Sequence, residues 1–229
     1  MARQRRSDAE SGARQKLIDA GIILFGLHGY EATSTRSLAA AAGVNLAAIP
    51  YHFGGKEGLY RAVASHIVDA RNAALGPYFE RVRSLCADPA AGRDTLLTAL
   101  RAMIQALAAD TLGTSQGRDA SQIMIQEQIA PTPAFDLFYE GFFRTALDAW
   151  TGLVARLTGR DAGHPDTRLR ALALVGQIVI FRVGAFTALR HLECPQFTPE
   201  TVDRIAEICI EQIEASLAPA AAASPGGAS

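Results

Sequence analysis

The sequence predicts an all-α protein, and three observations carry that prediction. Alanine and leucine dominate a chain of 229 residues in which aromatics make up only 7%, and both residues lose little freedom on entering a helix. Apolar residues recur at three- and four-residue spacing almost throughout, as one buried helix face requires. Alternating β-branched runs between turn pairs, the mark of strands, are missing. Hydrophobic residues at 49% and charged residues at 20% are the proportions of a folded protein and exclude a wholly disordered one.

Taken in order, residues 1–12 carry Arg3, Arg5 and Arg6 and are expected to form a flexible basic arm, with a plain solvated tail as the alternative. Leu17, Ala20, Gly21, Leu24 and Phe25 fall at i, i+3, i+4, i+7 and i+8, one face of a first helix, and Gly29 supplies its stop after His28. Ser34 or Thr35 can cap a short helix over 36–42, with Leu38 and Ala39 inward. Gly43 permits a left-handed turn, Val44 plugs the core, and Asn45 caps a further helix over 46–53. Two short helices joined through a glycine turn describe a helix-turn-helix, about 36–55, with an ordinary αα-corner as the alternative. Helical patterns then fill 56–75, 94–110, 119–129, 133–158, 165–192 and 199–217, each bounded by Gly, Pro or a capping residue. The Ala/Pro/Gly/Ser tail, 218–229, is expected to be disordered.

Charge is divided unevenly. Residues 1–61 hold eight Lys/Arg against five acids, a balance of +3, which leaves −4 for the rest of a chain whose net charge is −1. That excludes a uniformly basic nucleic-acid coat and suggests nucleic-acid binding at one end. Cys86, Cys194 and Cys209 are far apart and odd in number, so small buried hydrophobes in a reducing compartment are expected. The N-terminus has no secretory apolar run. The longest apolar stretch, 171–189, is broken by Gln177 and Arg182, so no membrane span is expected. These features describe a soluble cytoplasmic protein.

The stretch from Ala13 to Val63 resembles the DNA-binding domain of TetR/AcrR transcriptional regulators. The resemblance rests on a combination: Leu24-Phe25 closing the first helix, the Gly29-Tyr30 exit, Thr33 to Thr35, Ala42-Gly43-Val44, Tyr51-His52-Phe53 and Lys56-Glu57. It implies a three-helix DNA-binding domain over 13–73, with 46–53 as the recognition helix in the major groove. Asn45, Leu46, Ala47 and Ala48 would then meet base edges, leaning on thymine methyls because all but Asn45 are apolar. Thr35, Tyr51, His52 and Lys56 match positions that touch phosphates, and Arg36 is grouped with them. For His52, a buried or capping role is the alternative. Pro50 departs from the pattern, because proline inside a helix removes a hydrogen bond and disfavours the helical state before it.

The run 122–142 and the later stretch RLRALALVGQIVIFRVGAF resemble the C-terminal domain of CecR-like members. The resemblance implies a helical effector-binding and dimerisation domain over 76–217, with a small-molecule effector and operator DNA as partners. The residues themselves suggest a mostly apolar cavity among 119–129, 133–158 and 172–186 with a few polar groups. Gln122, Glu127, Tyr139, Gln177 and Arg182 are the candidates to line it. A buried Arg182 needs a carboxylate, which Glu127 or Glu140 could supply, and a purely structural ion pair is the alternative. Phe135, Phe138, Tyr139, Phe142, Phe143 and Trp150 read as core rather than as ligand stackers, which leaves Tyr139 with both readings. Leu169, Leu172, Ala173, Gly176 and Ile180, with Val202, Ile205, Ala206, Cys209, Ile213 and Ser216, form two stripes suited to a homodimer interface.

Catalytic and cofactor motifs are missing: no G-x-S-x-G, no glycine loop for phosphate, no H-E-x-x-H, and no metal-ligand spacing among the five histidines. No catalytic residue, metal or cofactor is expected. Together the residues and the resemblance imply a sequence-specific transcriptional regulator, a repressor released by a small hydrophobic effector. The alternative is a helical ligand-binding or scaffolding protein without operator binding.

Overall fold

The computed structural model describes residues 2–217, with side chains from Ser11 onward except that of Gln116. The tail expected to be disordered, 218–229, and the side chains of Arg3, Arg5 and Arg6 lie outside the described residues. Within them there are helices and no strand: α1 (Ala2–Ala32), α2 (Thr35–Ala42), α3 (Ala48–Phe53), α4 (Lys56–Ala87), α5 (Arg93–Ala108), α6 (Ser115–Ile129), α7 (Phe135–Phe138), α8 (Arg144–Thr158), α9 (Pro165–Val183), α10 (Ala185–His191) and α11 (Pro199–Ser216). Two π-helical turns, Ala109–Gly113 and Tyr139–Phe143, follow α5 and α7.

The chain forms two compact units. The first holds residues 1–73 together with 114–143, the second 74–113 together with 144–229. Residues 114–143, expected in the C-terminal body, therefore pack with the N-terminal helices. The reason is side-chain complementarity at α6: a Cβ on Gly26 would touch the Asp119 carbonyl and Ile123, and the Gln126 amide donates to Gly26 O at 2.8 Å.

In the first unit the α1 stripe is buried as its spacing requires, with Leu17, Ile18 and Phe25 fully enclosed alongside Leu38, Ile49, Leu59, Val63 and Ile67. Helical backbone extends back to Ala2, so the segment expected as an arm continues α1. The helix breaks at Gly29, whose φ of 77° lies in the left-handed region that glycine enters without penalty. Thr33, buried, then ties the exit by donating to Gly29 O at 2.7 Å and Leu24 O at 3.2 Å.

α4 corrects an expectation. It does not stop near Leu75 but continues through Gly76 and Pro77 to Ala87. An internal proline costs about 3 kcal/mol; here Leu75, Phe79 and Val82, at helical spacing, are all buried beyond it, and each such burial returns about 1.5–3 kcal/mol.

The second unit is built on Leu96, Leu100, Met103, Ile104, Trp150, Leu153, Val154, Leu174 and Ile178. Arginines close its helix ends, where carbonyls lack intrahelical partners. Arg93 donates to Leu157 O at 2.9 Å and Leu217 O at 3.0 Å, and Arg156 donates to Cys86 O, Asp88 O and Ala91 O. The expected helix over 165–192 is two, α9 and α10, bent by 74° at Gly184. No single helix among the described residues is long and apolar enough to cross a membrane.

The two stripes expected to associate differ in fate. On α11, Val202, Ile205, Ala206, Cys209 and Ile213 are all buried within their own chain, so they are core rather than a free face. Outward, α11 presents Arg204 to Glu207 at 2.9 Å and to Glu211 at 3.6 Å. On α9 the stripe stays open: Leu169, Leu172, Ala173, Gly176 and Ile180 are exposed.

Candidate nucleic-acid interface

The helix-turn-helix is assembled from local chemistry. Ser34 caps α2 by accepting the Ser37 N–H at 3.0 Å. Gly43 turns the chain at φ 62°, its N–H closing on Ala39 O and Ala40 O. Leu38, Ala39 and Ile49 fix the pair against the core.

α3 starts two residues later than expected. Asn45 Oδ1 accepts the Ala47 N–H at 2.9 Å, and Asn45 O and Leu46 O accept from Ala48 and Ile49 at 2.9 and 3.3 Å. This tight turn resolves the position of Pro50. The residue falls in the first turn of α3, where N–H groups lack helical partners anyway. The carbonyl its missing N–H would have met, Leu46 O, is already bonded to Ile49. The next bond, Tyr51 N–H to Ala47 O at 3.2 Å, forms normally.

The surface that results is exposed and apolar at its tip. Leu46 is 45% exposed and Tyr51 72% exposed, while Asn45 and Ala47 are also open and Ala48 is half-buried. A large aromatic left in water carries more information than a buried one. His52 is half-buried, its ring edge-on to Tyr51 at 4.8 Å and 6.1 Å from Phe53. On α2, Thr35 is half-buried at the first helical position and Arg36 stands exposed beside it, where free backbone N–H groups favour anions.

Lys56 opens α4, an unfavourable end for a cation beside the positive pole of a helix. Its ammonium is held instead by α1's exit, 4.4 Å from the centre of the Tyr30 ring and donating to Glu31 O at 3.2 Å. Tyr30 rests on Tyr60 with ring centres 4.9 Å apart, and Phe25 meets Tyr60 edge-on at 4.8 Å. At its far end the Tyr60 hydroxyl donates to Glu127 Oε1 at 2.6 Å. Burial first, then the Glu127 bond, push the Tyr60 phenol well above its ordinary value, so it stays a donor.

Glu127 is 1% exposed and also accepts from Thr132 Oγ1 at 2.9 Å and Thr132 N at 3.1 Å. Expected as an effector ligand or a partner for Arg182, it instead locks α6 and its following turn to α4. Three donors on one carboxylate satisfy a group that would otherwise be costly to bury. Of the other expected effector contacts, Gln122 is half-buried and Tyr139 is exposed and stacked on Phe135 in the first unit. Gln177 and Arg182 are half-buried on α9 in the second. Gln177 Oε1 is buried with no hydrogen-bond partner.

Sequence reasoning missed Tyr60 and Gly58, and gave Tyr30 only as part of the exit of the first helix. Tyr60 lies 67 residues from Glu127, beyond any spacing signal. Gly58 sits where a Cβ would overlap the Phe53 carbonyl, and only a backbone approach reveals that. Among the described residues no group of three His, Cys, Asp or Glu side chains could hold a metal ion.

An exposed helix-turn-helix in an all-helical chain is the arrangement found in DNA-binding regulators, and comparison with known proteins agrees. Residues 17–63 match the family of bacterial regulatory proteins of the tetR type, and residues 96–219 match the C-terminal domain of the HTH-type transcriptional dual regulator CecR. The chain is 37% identical to CecR of Shigella flexneri over 197 residues, 84% of this chain and 86% of that protein. Two solved structures share the fold. SmeT, repressor of the Stenotrophomonas maltophilia multidrug efflux pump SmeDEF, has a TM-score of 0.59 at 20% identity, covering 93% of this chain and 94% of that one. AibR, solved with isovaleryl coenzyme A and operator DNA, has a TM-score of 0.64 at 16% identity, covering 88% of this chain and 97% of that one. The chain belongs to the TetR family of DNA-binding transcriptional regulators. Within that family its C-terminal domain is of the CecR type.

Proposed function

We propose that the protein acts as a homodimeric repressor of transcription in the bacterial cytoplasm, without catalytic activity, and that a small hydrophobic effector releases it from its operator. The observation that carries the reading is the exposed Asn45–Tyr51 surface with Lys56 beside it. Leu46 and Ala47 suit the thymine methyl in the major groove. The Asn45 amide keeps its Nδ2 to donate, since only Oδ1 is used in the turn. Thr35, Arg36, Tyr51, His52 and Lys56 set register on phosphates.

Support for an effector comes from α9, where an unpartnered Gln177 acceptor lies in an otherwise apolar stretch; a buried polar atom without a partner costs about 1–3 kcal/mol, which a ligand donor would relieve. Support for a second copy is the open α9 stripe. SmeT is a repressor that has also been solved in complex with triclosan, which supports an effector that is a hydrophobic small molecule.

The test is a footprint on the DNA upstream of the protein's own coding region. Two protected half-sites about one helical turn (~34 Å) apart are expected from a two-fold dimer. Lys56→Ala should weaken binding to every sequence and flatten the salt slope by roughly 0.9 per lost phosphate contact. Unchanged affinity and slope in that variant would remove Lys56 from the interface, and no protection at low salt would remove operator binding altogether.

A further inference from the structure

Lys56 is a proposed phosphate contact whose ammonium is held by the exit of α1, over the Tyr30 ring and against Glu31 O. A continuous set of contacts leads away from it inside the first unit. The ammonium lies over Tyr30, Tyr30 packs on Tyr60 with the rings tilted by 48°, Tyr60 donates to the buried Glu127, and Glu127 accepts from both polar groups of Thr132. Thr132 Oγ1 in turn accepts the Ala134 N–H at 3.1 Å, so the short turn between α6 and α7 is organised around the same carboxylate. Gln126, the neighbour of Glu127, grips Gly26 O, three residues before the glycine that breaks α1 and aims Tyr30.

A ring packed only by apolar contact can slide, whereas a ring tethered at its para position cannot. The Tyr60 hydroxyl is that tether. A cation over a ring face is attracted by roughly 0.5–2 kcal/mol with strong dependence on position, so moving Tyr60 moves the platform under Lys56.

We propose that Tyr60 and Glu127 are positioning residues for the Lys56–DNA contact, so that the turn between α6 and α7 sets the phosphate-facing ammonium through this chain of ring contacts and hydrogen bonds. The proposal rests on Lys56 touching phosphate. It assigns to the Glu127 carboxylate a part in DNA affinity although the residue is itself buried.

The experiment is a double-mutant cycle on the full-length protein, read as affinity and salt slope on a duplex carrying its own upstream DNA. Lys56→Ala, Tyr60→Phe and the double variant are compared, with thermal melts as folding control. Tyr60→Phe keeps the ring and loses only the tether; affinity should fall about 3- to 10-fold and the salt slope should flatten, toward the roughly 0.9 expected for a whole contact. In the Lys56→Ala background the same substitution should change neither quantity further, because the path runs through Lys56. Glu127→Gln, which still offers an acceptor to Tyr60, should retain most of the affinity lost in Tyr60→Phe. If Tyr60→Phe does not fold, Tyr30→Leu takes its place in the cycle, removing the platform and sparing the buried bond.

Equal losses from Tyr60→Phe with and without Lys56 overturn the positioning role while leaving Lys56 as a DNA contact. A Lys56→Ala variant with unaltered salt slope overturns the DNA reading of Lys56 and this proposal with it.

Discussion

Gly58 has no side chain because there is no room for one: a Cβ would overlap the carbonyl oxygen of Phe53, with the Phe53 side chain close behind. The obstacle is backbone, which cannot rotate away as a side-chain tip can. Placing a methyl group there must push α3 off the start of α4, and overpacking of this kind typically costs about 1–3 kcal/mol. Gly58→Ala is therefore expected to lower the melting temperature and to weaken operator binding at least tenfold, read by thermal melts and gel shift. Gly76→Ala, in the same helix, is the matched control, since a Cβ there meets nothing within 4 Å. If both variants bind alike, the close approach of α3 to α4 is not what sets the reading head. Tyr60 shows the same lesson for polar groups: its role depends on a partner that no local pattern announces.

Helices α9 and α11 carry similar apolar periodicity, yet one face is open and the other is closed. Ile205 is 5% exposed within its own chain, while Leu169, Leu172 and Ile180 are each at least half exposed. An exposed apolar face of this kind is where the proposed dimer would form. Bulk or charge on α9 should thus be tolerated by the subunit and refused by the dimer. Gly176→Leu and Ile180→Glu are expected to sediment as folded monomers with unchanged helix content. Ile205→Asp should instead unfold, because an aspartate buried without a cation is costly. Sedimentation velocity with circular dichroism separates these outcomes; a folded monomer from Ile205→Asp, or an intact dimer from both α9 variants, would place the interface elsewhere.

For the molecule as a whole, effector response must come from unequal affinity for the DNA-competent and incompetent states, since equal binding shifts nothing. As the proposed effector contact, Gln177 would supply the means of discriminating. Gln177→Leu replaces a buried acceptor that has no partner, so stability should hold or rise, by about 1–3 kcal/mol. Operator affinity should be unaffected, because Gln177 is remote in sequence and in unit from α2 and α3. Release from operator across a panel of hydrophobic small molecules should weaken for ligands bearing a hydrogen-bond donor. A variant released by the same compounds at the same concentrations as wild type would make Gln177 a structural residue only.

What the sequence determined by itself was everything that short-range physics controls. Three- and four-residue spacing fixed the helical class and the buried face of α1. Gly29 and Gly43, both at positive φ, fixed the breaks, and Ser34 and Asn45 fixed local turns. The reading head was legible for that reason: its parts lie within about twenty residues and each obeys a cap, turn or stripe rule. Tertiary structure alone decided the rest. Pro77 reads as a stop, but α4 continues because buried Leu75, Phe79 and Val82 outweigh one lost hydrogen bond. The α9 and α11 stripes look alike until packing shows which one the chain covers itself. Glu127 reads as a ligand or an ion-pair partner until the fold brings Tyr60 to it across 67 residues. Periodicity states that a face is apolar or a group needs a partner; only long-range contact determines which face is covered and which partner arrives.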